Sequence, residues 1–433
     1  MNLDAWRRRF PMLVNSGYAA VTNASAALLL GLLMLAGRFL SAADYGRFSY
    51  AVALSTIIET VKDVGLGPVT VRAVAREQSA AGRLFRHVLG LKLLWVAIGL
   101  VILFLVTPIL RQDPAVIRIC YLLGVSSAVR SYLLTARGLL QGLERFDIEA
   151  AIVLSDRALL LVVGAAFLVS GSGLVGLGWA FVIVRLLMLV GVSLFLGRLV
   201  GGIAPTFDLA VWRELQAAAL PLGFFMIALN LYTYIDTLIL GQMRTDAEVG
   251  AYAAAYRIYE GLTYAPAVLA SVLTPTLSAL FVRDRAAFRR LLARMLGASV
   301  GLGVALGGLM LALAGPVLRL IFGGGYESAV APLQILSAGA LFVFATWILH
   351  AAAIATNLDR RLFLTTVVGL VSNVAFNVLL IPSRGIAGAA AATVMAEAIT
   401  VALLLAQVAA RLRQPLPVSP SAAAVGSELL PPV

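Results

Sequence analysis

The chain has a single cysteine, Cys120, and two histidines, His87 and His350, in 433 residues. An intrachain disulfide is excluded, and so is a metal site built from Cys and His. Charge is scarce as well. Asp, Glu, Lys and Arg make up 12% of the residues, about half the share of a soluble domain. There is no GxGxxG turn, no Walker phosphate loop and no HExxH zinc motif. Connections between apolar runs reach only about 20 residues, too short for a soluble catalytic domain, and the chain reads as a non-enzyme.

What the chain has instead is apolar length. Hydrophobic residues make up 61%, and mean hydropathy is +0.98. Runs of about 20 apolar residues recur from end to end, each long enough to cross a bilayer. Twelve segments are expected at 14–37, 48–66, 88–108, 116–139, 149–170, 174–197, 215–241, 250–280, 294–315, 328–355, 362–382 and 386–410. The fold class is thus an all-α polytopic membrane protein. The eighth segment contains Pro266 and Pro275, which predict a kink or an extension beyond the membrane. The first segment opens with polar residues and is too long for a signal h-region, so it is expected to be retained. The Pro-, Ala- and Ser-rich stretch after Arg413 is expected to be a disordered tail.

The net charge of +12 does not mark a nucleic-acid binder, because the basic residues have no common face. Of the 33 Lys and Arg, only six fall in the connections expected outside: Arg38, Arg47, Arg111, Arg244, Arg319 and Arg384. The alternate connections hold the clusters Arg72, Arg76, Arg83, Arg86 and Arg283, Arg285, Arg289, Arg290, Arg294. This bias places both termini in the cytoplasm.

Three stretches recur in order. Gly37-Arg38…Asp44-Tyr45-Gly46 matches Gly241-Gln242…Glu248-Val249-Gly250. Gly142-Leu143-Glu144-Arg145 matches Asn357-Leu358-Asp359-Arg360. Gly173-Leu174-Val175-Gly176 matches Gly385-Ile386-Ala387-Gly388. The offsets are 204, 215 and 212 residues. An internal duplication follows, with a six-helix lobe over 1–200, a second over 201–413 and the tail at 414–433. Six helices per repeat make the halves parallel repeats about an axis normal to the membrane, facing each other across a cavity.

A charge at the bilayer centre costs about 2.5–3.5 kcal/mol on insertion scales, so intramembrane charges mark candidate sites. Glu59, Lys62 and Asp63 cluster in the second segment. They read as an ion-responsive group near the cavity, or as a local pair of Glu59 with Lys62 at i,i+3. Asp236 lies in the seventh segment. Arg257 and Glu260 stand among Tyr252, Tyr256, Tyr259 and Tyr264 in the eighth. Tyrosines there could bind sugar rings, or be interfacial aromatics beside an intrahelical pair. Arg130 and Arg185 lack a carboxylate within four residues on their own segments. A carboxylate across the bundle or an anionic ligand must answer them. Arg118 and Arg137, nearer segment ends, are expected to snorkel. Asn373 and Asn377 share a helix face and should bond between helices. Glu397 and His350 complete the set, with His350 placed near a cytoplasmic end. Gly297, Gly301, Gly303, Gly307 and Gly308 read as close helix packing.

Asp63-Val64-Gly65-Leu66, then Ile235-Asp236-Thr237-Leu238-Ile239-Leu240-Gly241 and Gly250-Ala251-Tyr252-Ala253-Ala254-Ala255-Tyr256-Arg257, with Gly142-Leu143-Glu144-Arg145-Phe146, resemble the signatures of the polysaccharide-transport family. Its members are Wzx-like flippases of the multidrug/oligosaccharidyl-lipid/polysaccharide superfamily. The resemblance covers the chain up to the tail. It implies a V-shaped pair of six-helix bundles in a bacterial inner membrane. The implied substrate is a polyprenyl-diphosphate-linked oligosaccharide, moved to the outer leaflet. A polysaccharide polymerase machinery is the implied partner, and H+ or Na+ the one possible coupling ion. Arg130, Arg185, Arg257, Tyr252 and Tyr256 become candidates for the diphosphate and glycan. Glu59, Lys62, Asp63, Asp236, Glu260 and Glu397 become candidates for coupling or gating. A cation-coupled multidrug antiporter of the same fold, and a non-transporting scaffold for glycan assembly, stand as alternatives.

Overall fold

The computed structural model describes residues 17–414, apart from 19, 20 and 23. The arginines at 7–9, the start of the first segment and the tail beyond 414 lie outside the described residues.

The described chain is helical, as a backbone in lipid must be to satisfy its own N–H and C=O groups. The helices are α1 (Ala26–Phe39), α2 (Ala42–Asp63), α3 (Leu66–Arg76), α4 (Ala81–Leu110), α5 (Pro114–Gly142), α6 (Phe146–Val169) and α7 (Gly173–Leu199) in the first half. The second half holds α8 (Leu209–Met243), α9 (Asp246–Arg283), α10 (Arg285–Phe322), α11 (Val330–Ala338), α12 (Ala340–Ala355) and α13 (Asp359–Arg413). Eight helices are long and apolar enough to span a membrane. The pair α11 and α12, bent by 45°, forms a ninth. α13 is 55 residues long and breaks at Gly385, whose φ of 56° only glycine adopts cheaply. Its two arms, 359–384 and 386–413, are therefore separate spans. With α1 and α2 the total is about twelve. α2, expected as the segment 48–66, begins six residues earlier at Ala42 and carries Asp44, Arg47, Glu59, Lys62 and Asp63 toward its two ends.

Two expectations change. α9 contains Pro266 and Pro275 yet runs unbroken over 38 residues, about 57 Å at 1.5 Å per residue. It overshoots a hydrocarbon core of about 30 Å, so the extension occurs. The stretch carrying Arg72 and Arg76 is not a loop but the amphipathic α3, packed on α5 where Gly138 and Gly142 leave room for Gly67, Thr70 and Val74.

The duplication is visible in local structure. Ser41 caps α2 by accepting from the Asp44 amide. Thr245, 204 residues on, caps α9 with Glu248 in a reciprocal capping box. Gly173 and Gly385 share positive φ, 63° and 56°. The second match needs a two-residue correction. The positive-φ residues that end the preceding helices are Glu144 and Asn357, an offset of 213, because backbone caps align there and side-chain identity does not. Of the six glycines in α10, only Gly303 and Gly307 pack closely, both against the α11–α12 pair.

The two halves meet chiefly along α2, which packs on α8 and α9. At the end of the bundle where α2 and α9 begin, the helices cross at Gly46 and Gly250. A Cβ on Gly46 would lie 1.8 Å from the Asp246 carbonyl oxygen, and one on Gly250 1.9 Å from that of Ala42. Two positive helix ends converge here, and four carboxylates attend them. Arg47 reaches Asp44 (3.1 Å), Asp113 (2.9 Å) and Asp246 (2.9 Å). Arg111 pairs with Asp246 and donates to the Gly241 carbonyl at 2.7 Å. The fourth carboxylate, Glu248, belongs to the cap. This seam closes the bundle at that end.

Candidate functional site

Between the halves lies a cavity of about 210 Å³, walled by α1, α2, α5, α6, α7, α8 and α9. Four arginines line it: Arg130, Arg157, Arg185 and Arg257. Two carboxylates join them, Glu59 and Glu260. Asp156 lies just behind, in a smaller space shared with Arg130, Arg157 and Arg185.

The pairing is mostly across helices. Arg130 on α5 meets Glu59 on α2 at 3.2 Å and keeps 41% of its side chain exposed, against 6% for Glu59. Its charge is neutralised at one edge and open at the other. Arg185 on α7 is paired with Asp156 on α6 and is 7% exposed, with its Nε–H unbonded. Arg257 bonds Glu260 within α9 at 2.5 Å. Arg157 has no carboxylate partner among the described residues. It donates to the Thr22 carbonyl at 2.8 Å and to the Ser25 hydroxyl at 2.6 Å, which aim it without neutralising it. Lys62 is fully buried beside this wall. Its Nζ donates to the Gly124 carbonyl (2.8 Å) and to Ser127 Oγ (2.7 Å), and Gly99 makes room for its stem. The site is a cationic pocket with hydrogen-bond donors unspent.

Several sequence expectations are thereby corrected. Glu59 and Lys62 do not pair although i,i+3 spacing would allow it, because Arg130 takes Glu59 while the Lys62 amine is held by Gly124 and Ser127 of α5. Asp63 pairs with Lys92 of α4, away from the cavity. Arg137 does not snorkel; it binds the buried Glu149 at 2.6 Å. Tyr252 is buried and donates to Asp236, so it presents no surface to a glycan. Tyr256 lines a different cavity, described below. Arg157 was missed, although the doublet Asp156-Arg157 inside an apolar helix was a visible signal. Arg185→Ala would leave Asp156 buried without its counter-charge. The expected loss is about 3–5 kcal/mol of stability, read as a fall in denaturation midpoint of the purified protein. Asp156→Asn with Arg185→Gln should recover most of it.

A second cavity, about 500 Å³, lies within the second half between α8, α9, α12 and α13. Its walls are largely apolar and aromatic. They carry Asp236, Glu260 and Glu397, and no Lys or Arg. Glu397 accepts from the Tyr232 hydroxyl (2.8 Å) and Thr346 Oγ1 (2.9 Å). Asp236 is 3% exposed. It accepts from Asn377 Nδ2 (2.8 Å), Tyr252 OH (2.9 Å) and Thr393 Oγ1 (2.6 Å), and Asn377 Oδ1 is buried without a partner. Asn377 thus bonds between helices as expected, onto Asp236, while Asn373 accepts from Asn377 Nδ2 within α13. No group of three His, Cys, Asp or Glu side chains is gathered among the described residues. The oxygens around Asp236 are the arrangement that could take a small cation. His350 lies on the same cavity wall, near the last turns of α12, with Trp347 beside it at 6.5 Å.

The model of a family described as polysaccharide biosynthesis protein matches residues 15–281. A probable flippase, AglR of Haloferax volcanii, is 32% identical over 204 residues, covering 46% of this chain and 42% of that protein. The match thus spans less than half of the curated relative's length. Among solved structures, an inward-facing multidrug resistance MATE family transporter of the MOP superfamily superposes with a TM-score of 0.76 at 14% identity, over 93% of this chain and 96% of that one. The lipid II flippase MurJ in an inward closed conformation gives 0.71 at 14%, over 90% and 87%. A MOP superfamily transporter from Pyrococcus furiosus gives 0.58 at 15%, over 92% and 97%. At such identities these structures share the fold.

Proposed function

The chain belongs to the polysaccharide biosynthesis protein family, and on that premise we propose that it is a flippase for a polyprenyl-diphosphate-linked oligosaccharide, carrying the headgroup through the arginine-lined cavity to the outer leaflet of a bacterial inner membrane. The observation that carries this reading is Arg157, a cation aimed into the central cavity with no carboxylate of its own, beside the half-open Arg130. Diphosphate oxygens are the ligand such donors fit, and an arginine fork meets them in pairs. Arg185 and Lys62 add positive potential from behind the wall. An organic cation would be repelled here, which disfavours an antiporter working through this cavity.

At about 30 Å³ per liquid water, the 210 Å³ present is room for roughly seven waters. That suits a diphosphate and not a glycan. Loading therefore requires the halves to part, and the seam at Gly46 and Gly250 is where they must part on the far side. The positive-inside bias makes that seam the outer gate and puts both termini in the cytoplasm.

Asp236 is proposed as the site of a coupling cation, H+ or Na+. It is a buried carboxylate ringed by neutral oxygens and donors. A second drive is electrical. Moving negative charge outward under an inside-negative potential gains about 2.3 kcal/mol per charge per 100 mV. Reconstitution in liposomes with a polyprenyl-diphosphate oligosaccharide tests the whole reading. Transfer between leaflets is expected, slowing when the potential is collapsed at constant proton gradient, and losing its cation dependence in Asp236→Asn. Absence of transfer of several such lipids, with cation–proton exchange in the same vesicles, would overturn it.

A further inference from the structure

The two cavities have opposite chemistry. The central one gathers four arginines. The one in the second half, more than twice as large, has three carboxylates and His350 on its wall and no Lys or Arg. Of the flippase reading only the coupling cation at Asp236 touches this second space, and a headgroup anion would be excluded from it by charge.

Glu397 is the informative residue. It is 7% exposed, and both its oxygens are held only by hydroxyls, from Tyr232 and Thr346. Removing a carboxylate from water without a counter-cation is costly, and here the protein supplies none. Around it stand Phe225, Tyr232, Tyr259 and Trp347, whose ring faces attract positive charge. Glu260 is held by Arg257 and Asp236 accepts from three donors, which leaves Glu397 the least compensated carboxylate. An apolar chamber with that carboxylate and aromatic side chains on its wall has a defined complement: a single positive charge on a bulky apolar body. A hydrated inorganic ion leaves the aromatic surface unused. An isoprenoid chain gains nothing from the carboxylates and desolvates them further.

We infer that this cavity binds a lipophilic organic monocation, with the charge at Glu397 and the apolar body against Trp347, Tyr232 and Phe225. The site does not rest on what the arginine cavity binds, and it shares its wall with Asp236. It adjoins the arginine cavity only at Glu260, which lies on both walls and is held by Arg257.

The test uses the full-length protein in nanodiscs and tetraphenylphosphonium as the probe, followed by titration calorimetry. Saturable binding is expected, weakened at least about tenfold by Glu397→Gln, which is roughly 1.4 kcal/mol. Glu397→Asp should retain part of it, and Arg157→Ala all of it. Melting curves of the variants exclude unfolding as the cause. No saturable binding by the unmodified protein, or equal affinity in Glu397→Gln, would sink the proposal. So would a neutral polyprenol that displaces the probe and binds Glu397→Gln as well as the unmodified protein, since the space would then be a lipid site. Pyrophosphate titrated in parallel reports on the central cavity. Loss there with phosphonium binding intact would count against the flippase reading and not this one.

Discussion

Arg157→Ala is expected to weaken pyrophosphate binding by roughly 10- to 100-fold, matching the about 1.5–3 kcal/mol of a hydrogen bond to a charged group. The reason lies in how the four cavity arginines are compensated. Arg185 is spent on Asp156 and Arg257 on Glu260. Arg130 is shared with Glu59. Arg157 is fixed by a carbonyl and a hydroxyl, so an arriving anion need not displace a carboxylate from it. Arg157→Lys should recover little, because a point charge on a flexible stem does not offer the planar pair of donors. Arg130→Ala should also weaken binding, but it strands the buried Glu59 and so should cost stability, which Arg157→Ala should not. Arg130→Ala with Glu59→Gln separates the two effects. Calorimetry with inorganic pyrophosphate, alongside thermal melts, decides the matter. Unchanged pyrophosphate affinity in Arg157→Ala would remove the central argument for an anion-carrying cavity.

The second large effect concerns the seam. Valine at Gly46 or Gly250 cannot be accommodated while α2 and α9 cross as they do, since even a Cβ would meet a carbonyl oxygen at 1.8 or 1.9 Å. Overpacking costs about 1–3 kcal/mol, and an equilibrium between closed and open seams would shift by roughly 5- to 150-fold. Each substitution should therefore open the seam and reduce lipid transfer by a similar factor. Cys120 is the one cysteine and is buried, so a Cys120→Ala background allows spin labels at Ala43 and Ala247, equivalent positions 204 residues apart. Their distance should lengthen by several ångströms in Gly46→Val, the scale of a helix-end displacement. The pairs of Arg47 and Arg111 with Asp246 reinforce the closed form, but they are partly exposed and screened by salt. High salt should lengthen the same distance far less than the valine does. An unaltered distance with full transfer in both valine variants would show that the crossing does not hold the gate.

Much of the architecture was legible in the sequence. Apolar runs long enough to span, the break between the segments ending at 382 and beginning at 386, and the intrahelical Arg257–Glu260 pair are all local, set within a few residues. The duplication was legible for the same reason. α3 was not, because four basic residues in 20 read as a loop when hydropathy is the only guide. The candidate site was legible in part. Arg130 and Arg185 had to find carboxylates elsewhere or a ligand, and both found carboxylates.

The sequence by itself determined that this is a helical membrane protein, doubled from one six-helix unit, with too little charge to leave any intramembrane arginine unexplained. In lipid the backbone must satisfy its own N–H and C=O groups, which a helix does within one segment, and the length of each apolar run marks where a helix crosses. Only the tertiary structure decided which charges answer which. Glu59 faces Arg130 instead of Lys62, Asp156 takes Arg185, Asp236 is ringed by Thr393, Asn377 and Tyr252, and Arg157 is left with its charge unspent. Those choices depend on how each helix is rotated and where it crosses its neighbours. Such contacts join residues up to 157 positions apart, and no spacing along the chain encodes them.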